Sequence, residues 1–156
     1  MTCSLKDFQN LWRTLCREEI KIGLDNGFIV KSKKGKLSID DLPDGIVLPF
    51  SNSYTEEGEE IVYWRKNWGL RDAVKRVLGM GQEEYVYEIE TPRQILNIVE
   101  IIFHFKDKVA WKDEGRSIWS YNEIEPILQR DIINLILMVP FMQANPDVYI
   151  EFYDSF

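Results

Sequence analysis

The sequence predicts a single α+β domain, with a small antiparallel or mixed sheet of about four strands and four helices packed on it. Its length, 156 residues, is that of one domain, which usually holds about 100–200 residues. The predicted elements follow the order helix, strands, helix, strand, helix, helix, strand, a mixture typical of this fold class. There is no internal repeat, and the most polar loop, residues 51–60, is too short to separate two domains.

The first predicted element is a helix. Apolar residues recur at helical spacing from Leu5 to Ile20, which predicts an amphipathic helix over residues 5–22, ended by Gly23. We assign this helix to the same domain as the α+β segment 23–156.

Residues that favour strands and turns follow. Residues 28–30 are β-prone and predict a strand, and the lysine-rich stretch 31–36 predicts a turn. Residues 46–50 indicate a short strand or a loop. Residues 60–65 predict a second strand, with Ile61, Tyr63 and Arg65 on one face and Val62 and Trp64 on the other.

A second helix is predicted directly after that strand. Asn67 can serve as its N-cap, its apolar stripe runs to Leu78, and the Gly79–Gly81 pair ends it. Residues 85–89 then predict a short strand.

A capping box predicts the start of the third helix. Thr91-Pro92-Arg93-Gln94 supplies a threonine N-cap, a proline at the first helical position and a glutamine at the third. The helix is expected to run to about Phe105. Because it is apolar on nearly every side, we expect a central helix.

A second capping box, Ser120-Tyr121-Asn122-Glu123, predicts the fourth helix. Pro126 is late for a first turn, so regular helix is expected from near Glu125 to about Val139, before Pro140. Residues 147–153 predict the last strand. We expect the two apolar helices to bury six residues against one sheet face: Ile95, Val99, Ile102, Ile132, Leu135 and Ile136.

Composition and charge exclude several classes of protein. Hydrophobic residues make up 45% of the sequence, whereas disorder needs low hydrophobicity. The net charge of −7 argues against nucleic-acid binding, which depends on a basic field. Cys3 and Cys16 would lie too far apart on the predicted helix to form a disulfide, and free thiols are typical of the cytosol. No apolar run approaches the roughly 20 residues of a membrane span, so we expect a cytoplasmic protein that does not enter a membrane.

Three segments resemble an uncharacterised family of phage and prophage proteins. Gly23-Leu24-Asp25 is similar to the family's opening strand, Tyr63-Trp64-Arg65-Lys66-Asn67 to its Tyr-Trp-Arg-Lys segment, and residues 149–156 to its closing aromatic strand. Leu70-Arg71 stand where family members carry Ile-His. The resemblance covers residues 23–156 and implies a fold and a phage or prophage setting, without an activity.

Four residues form the candidate binding site: Asp25, Arg65, Lys66 and Trp68. Arg65 and Lys66 could hold a phosphate or a carboxylate. The alternative, which we favour, is that Arg65 forms a structural ion pair with Asp25. Trp68 does not belong to an obvious core stripe, and exposed aromatic side chains mark binding surfaces.

No pattern predicts catalytic residues, a cofactor or a metal site. His104 is the single histidine of the sequence, and the Gly79–Gly81 pair follows a helix, whereas phosphate loops precede one. We therefore expect a non-catalytic protein that binds a protein partner, and the sequence leaves open whether it also forms a homodimer. The alternative is a metal-dependent enzyme acting on nucleic acid or nucleotide, with Asp25, Lys66, Glu88 and Glu90 in its site.

Overall fold

The computed structural model describes residues 24–49 and 58–155, so the predicted helix 5–22 lies outside the described residues. The strands are β1 (Asp25–Ser32), β2 (Glu59–Arg65), β3 (Val86–Ile89) and β4 (Val148–Ser155). The helices are α1 (Trp68–Leu78), α2 (Pro92–Phe105), α3 (Lys108–Glu114) and α4 (Tyr121–Ala144). These four strands and four helices of the described residues confirm the α+β prediction.

The strands form one antiparallel sheet in the order β2-β1-β4-β3. The long strands β1 and β4 pair along their full lengths at the centre, and β2 and β3 are the edges. Alternate residues of β4 are buried on the face that meets the helices: Val148, Ile150, Phe152 and Asp154. Phe28 of β1 packs between Phe152 and Trp64, with ring centroids 5.0 and 5.7 Å away.

Polar side chains and a glycine set several of the helix ends. Thr91 and Ser120 each accept a hydrogen bond from the backbone N–H three residues later. Gly79 ends α1 with a φ of 71°, a conformation that glycine adopts without a Cβ clash. Asn67 occupies the N-cap position of α1 as predicted, but its side chain makes no capping hydrogen bond.

Helix α4 differs from its prediction at both ends. It begins at Tyr121, passes through Pro126 and Pro140, and ends at Ala144. A helix that ended before Pro140 would expose Met142, which is buried in the core. By length and composition alone α4 could cross a membrane, but here it is a core helix that packs against α2 and β2.

The predicted core is largely correct. Ile95, Ile102, Ile132 and Leu135 are buried, and Val99 is half-buried. The prediction that Ile136 is buried is wrong, since 47% of its surface is exposed. Helix α2 is also less central than expected, with Leu96 and Phe103 exposed by 42% and 67%. Both differences arise because the helices lie against the sheet in a layer, which leaves their outward faces uncovered by described residues.

Candidate binding cleft beside strand β2

A cleft of about 310 Å³ lies between the edge strand β2 and the first turns of α4. We call it the β2–α4 cleft. Strand β2 and the short connection to α1 supply one wall, and the residue before the α4 cap and one face of α4 supply the other. Its lining residues are Tyr63, Trp64, Arg65, Asn67, Trp119, Ile124, Ile127 and Arg130.

Hydrogen bonds from distant side chains cover the free edge of β2. The Trp119 indole Nε1 donates to the Arg65 carbonyl oxygen at 3.0 Å, and the Asn134 amide Nδ2 donates to the Ile61 carbonyl oxygen at 2.9 Å. An uncovered edge strand is a template for unwanted pairing. These bonds protect the edge and hold Trp119, which is 37% exposed, at the mouth of the cleft.

Two guanidinium groups give the cleft a positive character within an acidic protein. Arg65 is exposed and Arg130 is half-buried. Among the salt bridges between described residues, none involves either side chain. The Nε atom of Arg130 is also buried without a hydrogen-bond partner among the described residues. Both groups are therefore available to an anion.

Asn67 is the most unusual residue of the lining. Its exposure is 0%, yet neither Oδ1 nor Nδ2 makes a hydrogen bond to a described residue. Its backbone is committed, because its carbonyl oxygen accepts from Arg71 N–H at 3.0 Å. Burying a polar atom without a partner costs about 1–3 kcal/mol. Beneath its surface, the cleft lining thus holds one buried amide whose donor and acceptor have no partner among the described residues.

A buried carboxyl lies directly behind the cleft. Asp131 of α4 accepts a hydrogen bond from the Trp64 indole at 2.8 Å, while its other oxygen has no partner among the described residues. Burial raises the pKa of Asp131 to about 7, although the bond from Trp64 and the charge of Arg130 act in the opposite direction. The carboxyl therefore changes charge near neutral pH.

The predicted ion pair between Asp25 and Arg65 is wrong. The two residues are partners in the β1–β2 register, but the salt bridges of the described residues do not include this pair. Instead, the Tyr63 hydroxyl donates to the Asp25 carboxylate at 3.0 Å. Tyr63 is a diagonal neighbour of Asp25 on the same sheet face, within reach of a long side chain. Burial and the nearby Asp25 charge raise the pKa of Tyr63, which keeps it neutral.

The structure separates the other predicted site residues. Arg65 lines the cleft, and Asp25 adjoins it through Tyr63. Lys66 has a positive φ of 51° and donates its N–H to the Leu24 carbonyl oxygen at 2.9 Å, and it does not line the cleft. Trp68 is half-buried at the start of α1 and is likewise outside the lining.

Sequence reasoning misses most of the cleft. By pattern, Trp119 is one of several tryptophans that could pack in the core, Asn67 is a helix cap, and Arg130 has no signal at all. Trp119 stands directly before the Ser120 cap, where a large aromatic side chain is fixed by the entry of a helix. That position is a local signal for where Trp119 is held, but not for binding.

The carboxylates of the enzyme hypothesis do not converge. Glu90 forms a salt bridge with Lys33 at 3.1 Å, and Glu88 pairs with Glu151 in the β3–β4 register. Asp25 lies opposite Ser155. Ser155 is four residues beyond Glu151, which places it about 13 Å further along β4 at roughly 3.3 Å per residue. Within residues 24–49 and 58–155 there is no group of three side chains arranged to hold a metal ion.

A second polar cluster, which no sequence pattern indicates, is fully internal. Asp154 of β4 accepts hydrogen bonds from Arg71 Nε at 3.0 Å, Lys75 Nζ at 2.9 Å and Asn26 Nδ2 at 2.7 Å. Arg71 and Lys75 stand four residues apart on the buried face of α1. Because exposure of the Arg71, Lys75 and Asp154 side chains is 7% or less, this cluster joins α1 to the sheet and does not form a ligand site.

Comparison with known proteins found no matching family model, no matching curated protein and no matching solved structure. The resemblance to the phage and prophage family stays a prediction. The function is therefore argued from the cleft itself.

Proposed function

We propose that the protein acts without catalysis, by binding a protein partner through the β2–α4 cleft. The observation that carries the proposal is the buried Asn67 amide, whose donor and acceptor have no partner among the described residues. A peptide backbone presents a carbonyl oxygen and an N–H and can satisfy both once binding uncovers this amide. No described protein group does so.

The composition of the cleft supports a protein partner. Tryptophan, tyrosine and arginine dominate the residues that contribute most to protein–protein binding. The lining has one of the two Trp, one Tyr and two Arg at its surface, namely Trp119, Tyr63, Arg65 and Arg130, whereas Trp64 is buried. Ile127, which is half-buried, adds apolar surface on the α4 side, whereas Ile124 is buried. The volume, about 310 Å³, is at the lower end for binding sites, where about 300–1,000 Å³ is usual. A short peptide segment suits this size better than a large cofactor.

The same lining argues against catalysis at the cleft. It contains no carboxylate, Ser, Cys or His among the described residues, the side chains that most often act as nucleophile or general base. Tyr63 is kept neutral by its raised pKa and already donates to Asp25. The phage or prophage setting implied by the resemblance is part of this proposal: the partner is a phage or host protein met inside a bacterial cell.

A site-specific photocrosslinker tests the proposal. Benzoylphenylalanine replaces Trp119 in the cleft and, as the control, Val109, which is 67% exposed on α3 outside the cleft. We expect irradiation in cells to give a discrete protein adduct from position 119 and none from position 109. The adduct should disappear when Arg65→Ala and Arg130→Ala are added, and persist with Arg76→Ala and Arg93→Ala, which remove the same charge elsewhere. Equal adducts from both positions, or none from position 119, contradict the proposal.

A further inference from the structure

We infer that the group captured by the β2–α4 cleft is a carboxylate on a peptide, with an apolar side chain of the same peptide beside it. This inference rests on the proposed function and adds the chemistry of the ligand. It follows from the charges of the lining, from the charges around it and from the buried amide.

The two arginines select an anion. A guanidinium group binds a carboxylate through two parallel N–H bonds, and such charge-assisted bonds are stronger than neutral ones. Arg65 and Arg130 belong to the lining, and neither forms a salt bridge with a described residue. An anion in the cleft therefore displaces no described protein partner from either group.

The surroundings favour a single carboxylate over a polyanion. Asp25 adjoins the cleft through Tyr63, Glu123 is exposed in the first turn of α4, and the net charge of the protein is −7. A nucleic-acid strand would extend its phosphates beyond the two arginines and over these carboxylates. A peptide carboxylate places its one charge between the arginines and avoids the acidic rim.

The remaining lining residues fit the atoms next to that carboxylate. Asn67 is 0% exposed, so binding has to uncover its Nδ2 donor and Oδ1 acceptor, which are the complement of a peptide C=O and N–H. Ile127 supplies an apolar wall and Trp119 an aromatic one. The ligand class is therefore an acidic peptide segment with an apolar anchor, and its carboxylate comes from an Asp or Glu side chain or from the C-terminus of the peptide.

Three synthetic peptides distinguish the two sources. The first is acetyl-Ala-Ala-Leu-Phe with a free C-terminal carboxylate, the second is the same peptide as its C-terminal amide, and the third is acetyl-Ala-Leu-Glu-Phe-Ala amide. Binding to the full-length protein is followed by tryptophan fluorescence and by backbone amide shifts. Binding of the first peptide but not the second identifies a C-terminal carboxylate, and binding of the third identifies a side-chain carboxylate. Either result supports the inference.

Variants show whether binding occurs in the cleft. The affinity for the peptide that binds should fall at least about tenfold in each of three variants, Arg65→Gln, Arg130→Gln and Asn67→Ala. Arg93→Gln, on an exposed face of α2, should leave the affinity unchanged. Asn67→Ala is the sharpest variant, because its side chain makes no hydrogen bond to a described residue. We expect it to fold with undiminished thermal stability while losing affinity, a combination that a merely structural residue would not give.

Two results overturn the inference. One is that none of the peptides shifts the backbone amide signals of the cleft residues. The other is that a short oligothymidylate binds there more tightly than the carboxylate peptides. The failure of the broader proposal is distinguishable. A protein adduct at position 119 with no peptide binding contradicts the carboxylate inference but supports a protein partner. Peptide binding without any adduct in cells contradicts the proposal of a protein partner.

Discussion

Asp154 shows how a single buried carboxylate orders this fold. Its side chain is fully buried, and it accepts bonds from Arg71 and Lys75 of α1 and from Asn26 of β1. Burial raises the pKa of Asp154, but the bonds from Arg71, Lys75 and Asn26 outweigh burial and hold the pKa below its ordinary value. The charged form is therefore the native form, and it fixes α1 against the two central strands.

Asp154→Asn is expected to lower the free energy of unfolding by about 3–5 kcal/mol, because it removes the carboxylate that pairs with buried Lys75 and with Arg71, which keeps its salt bridge with Asp72. Urea unfolding at neutral pH measures the change. The control is Asp147→Asn, which breaks the exposed pair with Lys34 and should cost less than about 1 kcal/mol. Because the pKa of Asp154 is depressed in the folded state, its contribution is present above the unfolded pKa and is lost in acid. If Asp154→Asn also costs less than about 1 kcal/mol, the cluster does not contribute to stability as proposed.

Asp131 is expected to affect stability in the opposite pH range. Its pKa rises from 3.8 in a model peptide to about 7 in the fold, so the folded state retains a proton that the unfolded protein has released. The stabilising contribution is present below about pH 4 and falls as the pH rises towards 7, by up to about 4 kcal/mol. Asp131→Asn should remove this loss, since the amide stays neutral and its oxygen can still accept from Trp64.

The measurement for Asp131 is the difference in unfolding free energy between the wild type and Asp131→Asn, from about pH 4 to about pH 8, a range that spans the unfolded and folded pKa values. The difference should increase in favour of the variant as the pH rises. Asp113→Asn, the same change at an exposed position of α3, should follow the wild type. A constant difference across this range would mean that Asp131 is ionised throughout.

At the scale of elements, α1 and α3 approach so closely that one position requires glycine. A Cβ on Gly69, in the first turn of α1, would meet the backbone carbonyl oxygens of Glu114 and Gly115. Gly69 N–H also donates to the Gly115 carbonyl oxygen at 3.2 Å. The clash is with backbone, which cannot rotate away, so the junction depends on the missing side chain.

Gly69→Ala is therefore expected to destabilise the protein by about 1–3 kcal/mol, despite alanine's higher helix propensity. Thermal unfolding measures the effect. Gly81→Ala is the control, because the nearest atom to its added Cβ is Glu84 Oε1 at 3.5 Å, an ordinary contact. A stabilising effect of Gly69→Ala would show that α1 and α3 can separate without cost.

Local sequence signals correctly predict two of the helix ends. Thr91 caps α2 as expected, and Gly79 ends α1. The prediction for α4 fails because tertiary burial overrides the local cost of proline: the core retains Met142 beyond Pro140. Helix α3 is absent from the prediction, although the Asp107 carboxylate caps it by accepting from two backbone N–H groups at 3.0 Å.

At the scale of the whole molecule, the cleft escapes prediction because its parts are far apart in sequence. Arg65 stands out within its own segment, whereas Trp119 and Arg130 reach it only through the packing of α4 against β2. The same holds for Asp154, which meets Arg71 across 83 positions of sequence. A periodic pattern reports which side of an element is buried, but not which polar side chains meet there.

The distribution of charge over the whole molecule gives the last prediction, that the protein does not bind DNA or RNA at physiological salt. The one basic stretch of the described residues, 31–36, is largely neutralised. Lys31 pairs with Glu151, Lys33 with Glu90 and Lys34 with Asp147, at 3.0–3.1 Å. Binding to phosphate would have to break these pairs and overcome a net charge of −7, while nucleic-acid affinity comes mainly from uncompensated cations. Gel-shift assays with duplex and single-stranded probes at micromolar protein should show no complex. A complex that weakens as salt is raised, and that is lost in Lys33→Ala/Lys34→Ala, would instead identify this turn as a nucleic-acid site.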